Sequence, residues 1–181
     1  MLKDIKKDPR KFGELYDAFH NRIFGYVYRR TTDYAAAGDI TAETFLKAYV
    51  NIGKFKWNNI SLLYWLYRIA TNELNKYFNS HKYKAVSLNR IQEEYGIDIT
   101  DHSNAETESI KLQDDLDKHK EFLRINELIK KLDTKYQDVI SLRFFEKKSI
   151  KEISIILDKK EGTIKSLLSR GMEKLKENIK S

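Results

Sequence analysis

Three observations on the 181-residue sequence predict an all-α chain in two parts. Breakers are scarce, with one Pro and seven Gly, too few for a turn-rich β fold. Apolar residues recur at helical spacing on both sides of a stretch where that period is lost. Charge comes in blocks: residues 1–84 carry 15 Lys and Arg against 8 Asp and Glu, residues 85–117 carry 2 against 9, and residues 118–181 carry 17 against 10. The chain therefore reads as an N-terminal helical bundle (1–84), an acidic linker (85–120) and a C-terminal helix-turn-helix bundle (121–181). Two basic blocks are the electrostatic footprint of a polyanion binder, although Lys-rich solvated helices carry the same charge.

The elements follow in order. Asp8-Pro9 is a helix start, with Asp as N-cap and Pro in the first turn. Phe12, Leu15, Tyr16, Phe19, Ile23 and Val27 then share one face to about Arg30. Asp33 caps a second helix to about Asn51, with Ala37, Ile40, Thr41, Thr44, Phe45, Ala48 and Tyr49 on its inner face, and Gly53 ends it. Gly53–Asn59 is a loop by composition. Ser61 opens a third helix whose buried face is Leu62, Trp65, Leu66, Ile69, Ala70, Leu74 and Tyr77, ending near Ser80. The polar, acidic stretch Asn89–Asn104 reads as linker. Ser103 and Glu106 have capping-box spacing, so helix resumes near residue 104 and runs to about Leu132. Asp133 or Thr134 starts a helix reaching Phe145, with Tyr136, Val139, Ile140 and Phe144 apolar. Ser149 and Glu152 form a second capping box before Ile150, Ile153, Ile156 and Leu157. After Asp158-Lys159-Lys160 comes the last helix, with Ile164, Leu167, Leu168, Met172, Leu175 and Ile179 in period. Two helices joined by so short a turn, the second basic, have the form of a helix-turn-helix, a form also common in helical hairpins with no DNA role.

Several function classes fall away. The chain has no cysteine, which removes disulfides, thiolate metal sites and cysteine nucleophiles and fits a reducing cytoplasm. Ile60–Ala70, the most apolar stretch, is interrupted by Arg68 and falls well short of the roughly 20 residues of a spanning helix, so no membrane insertion is expected. The N-terminus has no apolar core and is not a signal peptide. Asp17 and His20 stand at i, i+3, a spacing that can serve a metal but is more often structural, and His81, His102 and His119 lack ligand-spaced partners. No phosphate loop, HExxH or G-x-S-x-G pattern occurs. The chain is expected to be no enzyme, with no cofactor and no metal.

The string Asp39-Ile40-Thr41-Ala42-Glu43-Thr44-Phe45-Leu46-Lys47-Ala48 resembles the polymerase-binding stretch of region two in bacterial sigma factors. Trp65-Leu66-Tyr67-Arg68-Ile69-Ala70-Thr71-Asn72 is similar to the helix that follows it. Ser149–Leu175, with Glu152-Ile153, Gly162-Thr163-Ile164-Lys165-Ser166 and Ser169-Arg170, resembles region four. Order and spacing match the extracytoplasmic-function (ECF) type, which has regions two and four only. The chain departs from the family pattern at Gly38, Ala42, Leu167 and Gly171-Met172-Glu173, and Asp158 stands at a frequent turn Gly, where Asp can enter the left-handed region.

Three surfaces become candidates. On the second helix, Asp39, Glu43, Leu46 and Val50 line a second face at i, i+4, i+7 and i+11. An acidic and apolar ridge in a basic domain suits a protein partner rather than DNA. The resemblance makes that partner core RNA polymerase, with Ala42 on the same face; the rim of the bundle is the plainer reading of Leu46 and Val50. In the loop and third helix, Phe55, Trp57, Tyr64 and Tyr67 interleave with Lys54, Lys56, Asn58, Asn59 and Arg68, and Asn72, Asn75, Lys76 and Asn79 continue the polar side. Unstacked bases need π faces and amides, and their phosphates need cations. The resemblance assigns this surface to the melted minus-ten element, while Trp57 and Tyr64 read equally as core, and Trp65 reads as core. In the last helix, Lys159, Lys160, Lys165 and Arg170 can reach phosphates or guanine edges. Thr163, Ser166 and Ser169 permit close approach, and Glu161 either accepts from a cytosine or serves as a first-turn charge. The resemblance assigns these to the duplex minus-thirty-five element. In the family the linker threads polymerase channels later used by nucleic acid, where an acidic chain mimics RNA; a solvated linker has the same composition.

The function expected is a sigma factor that directs promoter-specific transcription initiation, with core RNA polymerase and promoter DNA as partners and an anti-sigma factor as a further candidate. The alternative is a helix-turn-helix regulator acting without polymerase. A helical metalloenzyme is the remote one.

Overall fold

The computed structural model describes residues 10–55, 61–95 and 124–180, and for 81–95 it gives the helical backbone alone. The described elements are helices and their connections: α1 (Arg10–Thr31), α2 (Tyr34–Asn51), a 3-10 turn (Ile52–Lys54), α3 (Leu62–Tyr95), a helical stretch over 124–130, α4 (Thr134–Ile140) continued by a π-helical turn (Ser141–Phe145), α5 (Ile150–Leu157) and α6 (Glu161–Lys180). The Asp8-Pro9 start and the Ser103–Glu106 box lie outside the described residues. Among the described residues no helix is long and apolar enough to cross a membrane.

The caps form as their residue types dictate. Asp33 accepts from the Ala36 backbone N–H at 3.0 Å, satisfying one of the orphan donors of the first turn. Ser149 and Glu152 close a reciprocal box, Ser149 Oγ accepting from Glu152 N at 3.2 Å and Glu152 Oε2 from Ser149 N at 2.7 Å. Asp158 ends α5 in the left-handed region at φ 55°, ψ 48°.

α1 packs on α2 and α3. Leu15, Ile23, Val27, Ala37, Ala48, Leu66, Ala70 and Leu74 are fully enclosed, and each large side chain among them contributes about 1.5–3 kcal/mol by leaving water. Tyr26 and Tyr67 meet edge to face at 5.2 Å, and Tyr26 Oη lies 2.9 Å from Thr71 Oγ1. In the C-terminal part α6 packs on α4 and α5 through Ile164, Gly171 and Leu175. α3 also packs on α4 and α5, so the two parts share one apolar cluster.

Four expectations are corrected. α3 continues past Ser80 to Tyr95; no Gly or Pro stands between Ser80 and Gly96, and Ala85, Leu88, Gln92, Glu93 and Glu94 are good helix formers. Phe144 is 53% exposed because the i→i+5 bond from Glu146 N to Ser141 O at 3.1 Å adds a residue to the turn and rotates it off the α4 face. Tyr49 is exposed, and it packs edge-on against Phe12 at 5.1 Å. Trp65 is half-buried rather than core, tilted on Phe55 at 4.8 Å.

Candidate functional site

The α2 ridge stands clear of the bundle. Asp39 and Ala42 are exposed, Glu43 is half-buried, and Leu46 and Val50 are 56% and 67% exposed. Because the inner face of α2 is filled by Ala37, Ile40, Thr44 and Ala48, these five residues point elsewhere. Glu43 pairs with Lys47 at 2.9 Å, and Lys47 reaches on to Glu73 of α3 at 2.6 Å.

Behind the ridge, α2 and α3 border a cleft of about 430 Å3 lined by Lys47, Asn51, Trp65, Ile69, Asn72, Glu73, Asn75, Lys76 and Asn79. Asn72, Asn75 and Lys76 are residues expected to meet the melted strand. Lys47, Asn51 and Glu73 went unpredicted, since facing positions on two helices leave no mark in either helix's own period. Glu73 is buried between Lys47 and Lys76, the latter at 3.0 Å. Burial works to raise its pKa, but hydrogen bonds from the two lysines outweigh it and hold the carboxyl below the usual carboxylate range. The two ammonium groups and one carboxylate leave the cleft only mildly cationic. Four amides line it, of which Asn51 Nδ2 donates to Lys47 O at 2.9 Å and Asn75 Nδ2 to Asp138 Oδ2 at 3.0 Å; amides, each both donor and acceptor, and the Trp65 ring suit the edge and face of an unpaired base.

Lys56, Trp57, Asn58 and Asn59 lie outside the described residues, as does the side chain of Lys54. Phe55 is half-buried under Trp65. Tyr64 and Tyr67 do not line the cleft. Tyr64 Oη donates to Glu152 Oε1 and Tyr67 Oη to Glu146 Oε2, both at 2.5 Å. Burial, then the bond to Glu146, pushes the Tyr67 hydroxyl well up. Arg68 is also turned away from the cleft, onto the end of α5.

The outer face of α6 carries Glu161, Thr163, Lys165, Ser166, Ser169 and Arg170, all exposed, with Lys159 and Lys160 exposed in the turn before it. Its inner face is Ile164, Leu167, Leu168, Gly171, Met172 and Leu175. Leu167 is therefore a packing residue here, which accounts for an apolar side chain in the recognition helix. His20 is occupied by its neighbours, 4.7 Å from the Tyr16 ring and 3.2 Å from Asn21 Oδ1, and among the described residues no three His, Asp or Glu cluster as metal ligands do.

An apolar-acidic ridge, an amide-lined cleft and a last helix with exposed basic residues occur here in one chain. The family description Sigma-70 region 2 matches residues 15–83, and Sigma-70, region 4 matches residues 122–175. The ECF RNA polymerase sigma factor SigW of Bacillus subtilis is 30% identical over 99% of this chain and 95% of its own length. The chain belongs to the ECF RNA polymerase sigma factors. Solved structures with the same fold include CnrH in complex with the cytosolic domain of CnrY (TM-score 0.64, 17% identity, 98% of this chain and 93% of that one). Another is the sigma factor RpoE with the anti-sigma factor NepR from Bartonella quintana (TM-score 0.59, 22% identity, 94% and 98%). The activity of this sigma factor is promoter-specific initiation of transcription, and a regulator independent of polymerase is not favoured.

Proposed function

We propose that this sigma factor docks on core RNA polymerase through Asp39, Ala42, Glu43, Leu46 and Val50. Bases of the melted minus-ten strand then enter the α2–α3 cleft, and the outer face of α6 reads the minus-thirty-five duplex. The exposed ridge beside the amide-lined cleft carries this reading. A regulator acting alone could use Leu46 and Val50 for dimerisation but has no use for a cleft suited to unpaired bases, whereas a subunit that must join polymerase and hold unpaired DNA needs both features on adjacent helices. In this reading residues 1–84 form the region-two unit, 85–120 the acidic linker and 121–181 the region-four unit. The chain performs no bond chemistry and works in the cytoplasm. An anti-sigma factor, as RpoE has in NepR, is the expected inhibitor class.

Reconstitution with core polymerase on genomic DNA, followed by sequencing of transcript 5′ ends, tests the reading. Start sites should share two upstream elements; transcripts with no shared element would refute it. Trp57→Ala should then impair promoter opening, seen by permanganate reactivity, more than duplex binding, because a stacked base exists only after unpairing.

A further inference from the structure

Glu73 is an acidic residue in a cleft that suits nucleic acid. Its side chain is 10% exposed and borders the α2–α3 cleft. Oε2 accepts from Lys47 Nζ at 2.6 Å and Oε1 from Lys76 Nζ at 3.0 Å. Burial opposes the charge, but the hydrogen bonds from the two lysines outweigh it and keep the carboxyl ionised. A carboxylate repels phosphates, so it weakens the attraction that the lysines exert on a strand. A tie between α2 and α3 explains the bond to Lys47, but it does not require the carboxylate to border the cleft. An ionised carboxyl accepts at about four lone-pair sites. The lysines occupy one on each oxygen, which leaves each oxygen able to accept again. The cleft measures about 430 Å3, within the roughly 300–1,000 Å3 of small-ligand pockets, and Trp65 in its lining offers a ring on which a base can stack.

We propose that Glu73 makes the cleft selective for guanine, its two oxygens accepting from N1–H and N2–H while the Lys76 ammonium donates to O6. The inference rests on the entry of melted-strand bases into this cleft. A base taken out of the stack is read on its Watson–Crick edge, and guanine alone presents two adjacent donors there. Cytosine and adenine offer the N4 or N6 amine to one oxygen but set a ring-nitrogen lone pair against the other. Thymine offers N3–H between two carbonyl oxygens, one of which must face a carboxylate oxygen. An ammonium carries three donors, so Lys76, whose side chain is 67% exposed, can serve Glu73 and O6 together. Lys47 is committed on two sides, to Glu43 at 2.9 Å and to Glu73, and holds the carboxylate in place. An amide can turn to exchange its donor and acceptor, whereas the two oxygens of a carboxylate offer acceptors in either orientation.

The test uses the chain reconstituted with core polymerase, on promoters randomised across the melted element and read by transcript sequencing. One position of the non-template strand should favour guanine about tenfold or more, the discrimination expected of a bidentate base contact. That position is then substituted in promoters mismatched in advance over the element, so that pairing strength does not enter. Inosine lacks only the N2 amine and should lose most of the preference. With 7-deazaguanine, altered on the opposite edge, binding should match guanine. Glu73→Gln presents a donor where guanine needs an acceptor, so it should bind guanine and inosine promoters equally, with helicity by circular dichroism unchanged. The comparison of guanine with inosine in the parent needs no variant, so it decides the contact even where Glu73→Gln fails to fold. No guanine preference at any melted position, or inosine equal to guanine in the parent, would overturn the proposal. A folded Glu73→Gln protein that still favours guanine over inosine would overturn the role of Glu73. Asn72→Ala shows separately whether the cleft holds the strand. Permanganate reactivity unchanged by it would remove the melted strand from the cleft, whereas impaired opening beside a parent indifferent to inosine would overturn the guanine contact alone.

Discussion

Asn75 and Arg30 divide the two oxygens of one carboxylate: Asn75 Nδ2 donates to Asp138 Oδ2 at 3.0 Å, and Arg30 Nη1 to Asp138 Oδ1 at 2.9 Å. Arg30 is 3% exposed and Asp138 6%, so this is a buried ion pair between α1 and α4 with α3 as third party. Removing one partner of such a pair costs about 3–5 kcal/mol, because the other charge stays buried alone. Arg30 keeps the Tyr26 hydroxyl at 3.4 Å and Gln137 Oε1 at 3.3 Å, which offsets part of the loss. Asp138→Ala should therefore lower the urea midpoint by less than the full cost while increasing hydrogen exchange in α4. Arg30→Leu with Asp138→Leu should recover part of the loss, since paired apolar replacements need no desolvation of charge. A parent-like midpoint and exchange pattern in Asp138→Ala would show that the pair is not buried in solution.

Glu152 gives a pH dependence with a defined sign. The hydrogen bond from Tyr64, then that from the Ser149 backbone, hold its carboxyl down at about 2, with Lys148 Nζ 3.8 Å away. A carboxylate whose folded pKa is depressed contributes stability that is complete above its unfolded value, about 4.3, and that fades as pH falls toward 2. The side chain is 29% exposed, so solvent screens part of the effect. Tyr64→Phe removes the leading cause. Carboxyl NMR titration should then find Glu152 shifted up toward the ordinary range, and the variant should differ most from the parent at neutral pH and least near pH 2. An unmoved titration would mean that Tyr64 and Glu152 are not bonded.

Two glycines in helices separate packing from propensity. Gly38 is exposed in the second turn of α2, and a Cβ there meets nothing within 4 Å, so Gly38→Ala should stabilise by about 1 kcal/mol. At Gly171 a Cβ would stand 3.1 Å from Ile140 Cδ1 and 3.3 Å from Tyr136 Cβ. Ile140 is enclosed, and Tyr136 Cβ moves only with its backbone. Overpacking of this kind costs about 1–3 kcal/mol, enough to cancel the same helical gain. Thermal melts should place Gly38→Ala above the parent and Gly171→Ala no higher than it. A stabilised Gly171→Ala would show that α4 and α6 approach less closely than 3.1 Å implies.

What the sequence made legible was whatever a single segment decides. Asp33 and the Ser149–Glu152 box announce their helices because capping is a local exchange of hydrogen bonds, and the inward faces of α1 and α2 follow from period except at Tyr16 and Tyr49, which stand exposed at their edges. Phe144 was misplaced because a π turn shifts the register by one residue, and no residue type announces that turn. The end of α3 was set too early because loss of an apolar stripe signals loss of burial, not loss of helix. The candidate residues divide the same way. Leu46, Val50 and the outer face of α6 could be read from one helix each. Glu73 between two lysines, and Arg68 on the carbonyls of α5, depend on which helix lies opposite.

The outer face of α6 predicts a salt signature. Lys160 and Lys165 are exposed, and each phosphate that a lysine neutralises adds about 0.9 to the slope of log affinity against log salt. Lys160→Ala and Lys165→Ala should each weaken binding to all upstream duplexes alike and lower that slope by about one. Thr163→Ala or Ser166→Ala should instead change which duplexes are selected from a randomised pool. Ser166 Oγ donates to Gly162 O at 3.0 Å, so its hydroxyl must turn from the backbone to reach a base, and Thr163 is the sharper probe. An unchanged slope in both lysine variants would remove them from the phosphate contacts.

The α2 ridge can be tested without disturbing the fold. Leu46 is 56% exposed, so Leu46→Ala gives up little burial. Glu43→Lys breaks the pair with Lys47, but Lys47 keeps Glu73 at 2.6 Å, and the new like-charge pair on one helix face costs only about 0.2–0.5 kcal/mol. The double variant should therefore melt within a few degrees of the parent. Core polymerase should respond differently. Losing an apolar anchor at the centre of an interface costs about 2 kcal/mol or more, and reversing the neighbouring charge places a cation against a partner complementary to a carboxylate. Affinity for core polymerase, measured by competition, should fall about thirtyfold or more, while binding of isolated upstream duplex stays at the parent's level. Val50→Ala, farther along the same face, should produce a smaller loss in the same direction. If the double variant binds polymerase as tightly as the parent while keeping its helicity, the polymerase face lies elsewhere, and the exposed aromatic group of Tyr16, Tyr34 and Tyr49 is the next surface to substitute.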